Sequence, residues 1–129
     1  MDTRTVALRL VELTSTGQDA KALDELYADG IVSVEVMSDP EADAQVWEGI
    51  DAVREKHAWW DSVATVHSVE VDGPFAGSGS EVFVVGFTMD VTMDGKRNSM
   101  REVGVFTVDQ GKIVKEVYLG LASQPQSES

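Results

Sequence analysis

Two histidines and a large excess of carboxylates are the side chains in this sequence that could do chemistry. The 129 residues include His57 and His67, 23 acidic and 10 basic side chains, and no cysteine. The lack of cysteine excludes disulfides, thiolate metal sites and a cysteine nucleophile, and two histidines are too few for an all-histidine zinc site. The chemistry left is acid–base catalysis by carboxylates and histidine, for which we expect no cofactor and no metal.

The common catalytic and ligand-binding motifs do not occur in the sequence. It contains no Gly-rich phosphate loop, no G-x-S-x-G elbow and no H-E-x-x-H pair. Asp39, Glu41 and Asp43 alternate as calcium ligands can, but the glycine and the closing glutamate of an EF-hand loop are missing. We therefore interpret this stretch as a solvated acidic loop.

The formal charge of −13 excludes several classes of partner. Nucleic acid and anionic membrane surfaces would repel such a chain. A hydrophobic content of 43% is too high for a disordered protein, and no apolar stretch reaches the length of a membrane span. With no signal-peptide pattern at its start, the sequence predicts a cytoplasmic protein.

The elements that must position the acid–base groups follow from periodicity and turn signals. Apolar residues recur at helical spacing over 3–16, 19–28 and 49–60, and a strand is predicted over 31–37, before an acidic loop over 38–48. The second half predicts strands over 64–71, 82–93, 97–108 and 112–121, with Asp94-Gly95 as a two-residue hairpin turn. One domain over 1–122 and a disordered tail over 123–129 are expected.

Helices followed by a meander of strands indicate an α+β fold with the helices on one face of an antiparallel sheet. The stretches 82–87 and 103–106 are apolar at consecutive positions, so both of their faces need cover. Because the helices cover only one face, we expect a homodimer through the outer face of the sheet.

Several local phrases resemble the SnoaL-like branch of the nuclear transport factor 2-like superfamily. They are DELYADG at 24–30, GIDAV at 49–53, the pair Trp59-Trp60, VHSVEV at 66–71 and DQGKIV at 109–114. The resemblance spans nearly the whole domain and implies a cone-shaped barrel, a curved antiparallel sheet wrapped around three N-terminal helices, with an apolar pocket inside. Related folds are called cystatin-like. The superfamily includes polyketide cyclases, ketosteroid isomerase and non-enzymatic modules, so the resemblance does not fix a reaction.

The resemblance to ketosteroid isomerase places that enzyme's general-base aspartate at Glu35. Alternation alone predicts the opposite orientation, with Val32, Val34 and Val36 on the core face; we follow the resemblance. The isomerase's oxyanion tyrosine falls at Leu10 and its neutral aspartic acid at Gly104, so steroid isomerisation itself is not expected. Its supporting tyrosines fall at Tyr27 and His57.

The same register points further residues into the pocket. On the strand over 64–71 it selects His67 with Thr65 and Val69, and His67 would be the acid–base partner of Glu35. The other expected pocket residues are Tyr27, Trp47, His57, Trp60, Phe83, Val85, Phe87, Met89, Val91, Glu102, Phe106, Glu116 and Tyr118. Several of these residues have a structural alternative. His67 could lie on an exposed face, and His57 could be a core histidine bonded to Tyr27 or a backbone carbonyl. Glu102 and Glu116 could pair with surface cations, Trp60 could be core packing and Tyr118 a dimer contact.

Two functions remain open. The first is a cofactor-free isomerase, cyclase or hydratase/hydrolase acting on a hydrophobic, polyketide- or steroid-like small molecule. The second is a non-catalytic ligand-binding or dimerisation module of the same fold. Several carboxylates in one pocket predict a neutral or cationic ligand.

Overall fold

The computed structural model describes residues 1–36 and 41–121. The tail expected over 123–129 and the first part of the acidic loop lie outside the described residues. The elements run in the order α1 (Thr3–Ser15), α2 (Asp19–Leu26), β1 (Tyr27–Val36), β2 (Gln45–Glu48), α3 (Ile50–Val63), β3 (Ala64–Ala76), β4 (Val82–Met93), β5 (Lys96–Asp109) and β6 (Lys112–Gly120).

The two N-terminal helices form where apolar residues recur at helical spacing. The Asp2 side chain caps α1 by accepting from the Thr5 backbone N–H at 2.8 Å. Helix α1 buries Val6, Ala7, Leu10 and Leu13, and α2 buries Ala22, Leu23 and Leu26. Helix α2 ends two residues earlier than predicted because Tyr27 already has extended backbone and starts β1.

The strands form one six-stranded sheet in the order β2-β1-β6-β5-β4-β3. The meander from β3 to β6 is antiparallel, as predicted, but β1 pairs with β6 in parallel. That pairing brings the first strand beside the last and sets Ser33 opposite Glu116 and Glu35 opposite Tyr118. The helices lie on one face, called here the inner face, so the predicted α+β cone fold is confirmed.

Three further differences from the sequence prediction lie between β1 and β4. The acidic stretch contains the short strand β2, whose Trp47 is paired with Ser33 of β1. Helix α3 continues to Val63, and β3 runs through Gly73-Pro74 to Ala76, with a register shift between Asp72 and Phe75. The Asp94-Gly95 turn has positive φ at both residues, 51° and 73°, as the predicted two-residue hairpin requires.

The centre of the core is a group of aromatic rings on the inner face. Phe83 and Phe106 are stacked with centroids 4.9 Å apart, and Phe106 meets Tyr118 edge-on at 5.8 Å. A Cβ at Gly104 would lie 2.6 Å from the Phe106 ring and 3.2 Å from the Tyr118 ring. These rings therefore occupy the space that a side chain at position 104 would need, and Gly104 is glycine because of this packing.

No helix within the described residues is long and apolar enough to cross a membrane. Between Ala22 and Val53 the structure describes seven acidic residues besides Glu35. All are at least partly exposed: Asp24, Glu25, Asp29, Glu41, Asp43, Glu48 and Asp51.

Candidate functional site

Strand β1 turns its polar residues toward the helices. Ile31 and Ser33 are fully buried, whereas Val32 and Val34 are only half-buried and Val36 is exposed. Glu35 shares the face of Ser33, and its side chain is 33% exposed. The inner orientation of Glu35 that the resemblance implied is thus the one observed, and the alternation of the valines predicted the wrong face.

Glu116 is a charged residue at the centre of this inner face. It is fully buried, accepts a hydrogen bond from the Tyr27 hydroxyl at 2.5 Å and another from the Ser33 hydroxyl at 2.7 Å. The alternative that Glu116 pairs with a surface cation is therefore wrong. A buried carboxylate needs such donors because removing it from water is costly.

Lys56 supplies the cation that balances these carboxylates. It comes from α3, has a side chain only 9% exposed, and places Nζ 3.1 Å from Glu35 Oε2 and 3.6 Å from Glu116 Oε2. Nζ also donates to Ser33 Oγ at 2.7 Å. One ammonium thus joins a partly exposed carboxylate to a fully buried one.

Two aromatic rings flank the ammonium of Lys56. Nζ lies 4.8 Å from the Trp47 ring centroid and 5.2 Å from that of Tyr118, within the range of cation–π attraction. Tyr118 also contacts Phe87, with centroids 6.2 Å apart. The aromatic residues expected to line a pocket thus surround the charged groups.

Glu102 differs from the other inner carboxylates. Burial above all, together with the nearby charge of Glu35, raises the pKa of Glu102 to about 7, against the opposing effect of Lys56. Among the described residues Glu102 has no ion-pair partner, so pairing with a surface cation is wrong for this residue as well. At neutral pH a substantial fraction of Glu102 carries a proton that it can donate.

The remaining ionisable groups of the inner face are held in uncharged forms. Burial lowers the pKa of His57, although the negative charge of Glu116 opposes this. Burial also raises the pKa values of Tyr27 and Tyr118 well above the usual range, and Glu116 adds to both effects. His57 is therefore a neutral imidazole at neutral pH, and both tyrosines are hydroxyl donors.

We name the inner polar cluster by its members: Tyr27, Ser33, Glu35, Lys56, Glu102, Glu116 and Tyr118. Of the expected apolar residues, Phe83, Val85, Phe87, Val91 and Phe106 are buried, and Trp47, Trp60, Val69 and Met89 are half-buried. His57 is half-buried beside the cluster. The Tyr27 hydroxyl donates its hydrogen bond to Glu116 and not to His57.

The expected inward orientation of His67 is wrong. Its side chain is exposed, and its Nε2 lies 2.7 Å from Thr92 Oγ1. The reason is a β-bulge: Val66 pairs with Val91 and Ser68 with Asp90, so His67 is an extra residue in β3. Beyond the bulge the faces are exchanged, which also turns Thr65 outward while Val69 remains inside.

Two members of the cluster were missed from the sequence. Ser33 shares the parity of Glu35, and this spacing could have found it. Lys56 lies three residues after the inward Val53 on α3, the spacing of one helix face. The stronger signal was charge: three expected inner carboxylates required a cation, and Arg54 and Lys56 are the first basic residues after a long acidic stretch.

The curved sheet over three helices, with a polar cluster on its inner face, defines the nuclear transport factor 2-like class of fold. The model of the SnoaL-like domain family matches residues 1–119. The chain therefore belongs to the SnoaL-like family.

A solved structure from Mesorhizobium loti is similar over nearly the whole chain. It is 37% identical, covers 92% of this chain and 98% of its own, and superposes with a TM-score of 0.82. That protein is described as a candidate SnoaL-like polyketide cyclase and also as a carbohydrate phosphatase.

More distant structures show the fold alone. A candidate isomerase from Bacillus subtilis is 14% identical, covers 93% of this chain and 89% of its own, and has a TM-score of 0.76. A nuclear transport factor 2-like protein from Burkholderia thailandensis is 17% identical, covers 93% of this chain and 91% of its own, and has a TM-score of 0.75. No curated protein matches the chain.

Proposed function

We propose that this protein is a cytoplasmic, cofactor-independent acid–base enzyme of the isomerase, cyclase or hydratase/hydrolase type, with Glu35 as base and Glu102 as acid. The observation that carries the proposal is the contrast between these two carboxylates. Glu35 is partly exposed and is paired with Lys56 at 3.1 Å, whereas Glu102 is half-buried, has no ion-pair partner among the described residues and has its pKa raised to about 7. A carboxylate in contact with a cation, on the same face as a carboxyl group with a raised pKa, is an arrangement suited to general acid–base catalysis.

The reaction starts with the transfer of a proton from a carbon of the substrate to Glu35. The electrons of the broken C–H bond form a C=C bond, and those of an adjacent C=O bond move to its oxygen. Glu102 donates its proton to that oxygen, which gives an enol. With a β,γ-unsaturated ketone, Glu35 then returns its proton to the γ carbon and the C=C bond moves into conjugation. The enol O–H gives its proton back to Glu102 and the C=O bond re-forms, which completes an isomerisation. An aldol cyclisation begins with the same proton abstraction and ends with attack of the new carbon nucleophile on a second carbonyl.

The aromatic surroundings support a hydrophobic substrate. Trp47, Phe87 and Tyr118 lie next to the charged groups, and the similar Mesorhizobium structure is titled as a polyketide cyclase candidate. We therefore propose a polyketide- or steroid-like substrate that bears a carbonyl group. His67, which lies on the opposite face, has no place in this mechanism.

A non-catalytic binding module of the same fold is the second candidate. The observation that favours it is the internal pairing of the cluster, in which Glu116, Ser33, Tyr27 and Lys56 bond to one another. At the two positions that match the isomerase's oxyanion groups, this chain has Leu10 and Gly104, and both are part of the packed core. In that case the inner face would bind a hydrophobic ligand without changing it.

We also propose that two copies pair through the outer face of the sheet. That face has a row of apolar side chains that the helices do not cover. They are Val32, Val34, Val36, Val46, Val82, Val84, Val103, Val105, Val117 and Leu119, of which Val46 is 56% exposed and Val36, Val82 and Leu119 between 37% and 38%. A contiguous apolar patch of this kind is typical of a protein interface.

A ligand screen with three proteins tests the proposed function. Wild type, Glu35→Gln and Glu48→Gln are assayed by thermal shift against hydrophobic carbonyl compounds, and each hit is assayed for turnover. Glu48 is an exposed carboxylate on β2 and serves as the matched control. We expect all three proteins to bind the same hits and only Glu35→Gln to lose turnover. Binding without turnover by wild type supports the binding module.

A further inference from the structure

We propose that Lys56 is a catalytic residue as well as a counterion: its ammonium stabilises the negative charge that develops on the substrate carbonyl oxygen. This inference rests on the proposed function, because it concerns the negative charge that forms on the substrate when Glu35 removes a proton. It adds electrostatic stabilisation of the carbonyl oxygen to the proton donation by Glu102, a contribution that neither of the isomerase positions at Leu10 and Gly104 can make. It also restricts the substrate to carbonyl compounds with an acidic neighbouring C–H.

The ammonium of Lys56 has an N–H donor that no described residue uses. An ammonium group has three N–H donors. Within the described residues, Nζ lies within hydrogen-bond distance of Ser33 Oγ at 2.7 Å and Glu35 Oε2 at 3.1 Å, whereas Glu116 Oε2 is at 3.6 Å. One N–H is therefore left for an acceptor on a ligand that approaches Glu35.

During the proposed reaction a negative charge moves from Glu35 to the substrate, close to Lys56. When Glu35 takes the proton, the negative charge next to Lys56 disappears from the carboxylate and appears on the substrate oxygen. Lys56 is the described cation closest to Glu35, and Glu116 and Ser33 hold it in place. A preorganised cation in a poorly solvated site is an effective way to stabilise such an oxyanion.

A buried lysine can alternatively act as a nucleophilic amine. That role requires the neutral amine, which is favoured where a lysine is desolvated or next to other cations. Lys56 instead has two carboxylates within 3.6 Å and two aromatic rings around it. All of these stabilise the ammonium form, so the surroundings favour electrostatic catalysis over a Schiff base.

Binding of 4-nitrophenolate tests the inference without turnover. In Glu35→Gln the neutral amide stands in for the protonated base, and the phenolate, whose absorbance reports its ionisation, stands in for the enolate. We expect the phenolate to bind Glu35→Gln at least tenfold more tightly than Glu35→Gln/Lys56→Met. Uncharged 4-nitroanisole should bind the two proteins equally.

Matched variants separate the charge of Lys56 from its structural role. Lys21→Met in the Glu35→Gln background removes an exposed cation and should leave phenolate binding unchanged. If Lys56→Met fails to fold, Lys56→Met/Glu116→Gln in the Glu35→Gln background removes both buried charges and is used in its place. Its affinity for the phenolate should also be at least tenfold lower than that of Glu35→Gln.

The outcomes distinguish this inference from the proposed function. Equal phenolate affinity in folded proteins with and without Lys56 overturns the role of Lys56 and leaves the proposed function standing. If neither the phenolate nor 4-nitroanisole binds Glu35→Gln, the inner face is no ligand site and both proposals are overturned.

Discussion

The ammonium of Lys56 lies 3.1 Å from the carboxylate of Glu35, across the contact between α3 and β1. The same ammonium lies 3.6 Å from Glu116, which is fully buried. One cation therefore serves a structural carboxylate and a partly exposed one that can react. The stability of the fold and the proposed chemistry thus involve the same lysine, and the first prediction follows from that.

Replacing Lys56 by Met will destabilise the protein by about 3 kcal/mol or more, because Glu116 is left as an uncompensated buried charge. Urea denaturation at neutral pH measures the free energy of unfolding. The double variant Lys56→Met/Glu116→Gln should recover a large part of the loss, since it also removes the buried negative charge. Equal losses in the single and double variants would show that the ion pair is not the cause.

Glu102 makes stability depend on pH. Its pKa is raised in the folded protein from 4.5 to about 7, so the folded state binds more protons than the unfolded state between these values, and stability falls as pH rises through this range. Glu102→Gln removes this loss. From about pH 5 to about pH 8, its stability relative to wild type should rise by about 2.5 kcal/mol. Parallel pH profiles of the two proteins in urea denaturation would contradict the assignment.

Gly104→Ala will destabilise the core by about 1–3 kcal/mol, a usual cost of overpacking. The new Cβ would lie 2.6 Å from the Phe106 ring, which is stacked on Phe83 and has no room to move away. Gly86→Ala on the neighbouring strand is the matched control, because its Cβ would make only an ordinary contact of 3.5 Å with Asp72. Thermal denaturation compares the two variants, and a larger effect at Gly86 would refute the packing argument.

The outer sheet face predicts a homodimer in solution. Val117 lies on β6 in the middle of that face, paired with Val34 and Val105. Val117→Glu would bury an unpaired charge at the interface and should convert the dimer to a folded monomer. Sedimentation equilibrium at micromolar concentration measures both proteins. A wild-type monomer at that concentration would contradict the proposed interface.

Much of the fold could be predicted from local sequence signals. The helices over 3–15 and 19–26, the long strands and the Asp94-Gly95 turn each depend on residues close together in the chain. Strand β2 escaped prediction because its four residues lie in a polar, acidic stretch and have extended structure through pairing with β1. The parallel pairing of β1 with β6 joins residues more than 80 positions apart, and no local pattern reports it.

The candidate site was predictable in part for the same reason. Alternation predicted that Glu35 faces outward, and the resemblance predicted that it faces inward. Alternation failed because the burial of Glu35 depends on Lys56 and β6 rather than on its neighbours in β1. His67 was misplaced because one extra residue in β3 reverses the face, and a bulge leaves no clear mark in composition. Glu102 and Glu116 were found on the correct face, but the ion pair of Glu116 with Lys56 was not predicted, because Lys56 lies on a helix far from both strands in the sequence.

Deuterium exchange into a hydrophobic ketone tests the central claim most directly, because it requires only the first proton transfer. 2-Tetralone is incubated with protein in D2O, and loss of its α-hydrogens is followed by NMR. The account predicts that wild type and Glu48→Gln accelerate exchange over buffer, and that Glu35→Gln lowers the protein-catalysed rate by about 100-fold or more. Exchange by wild type no faster than buffer, or equal exchange by Glu35→Gln, would contradict it.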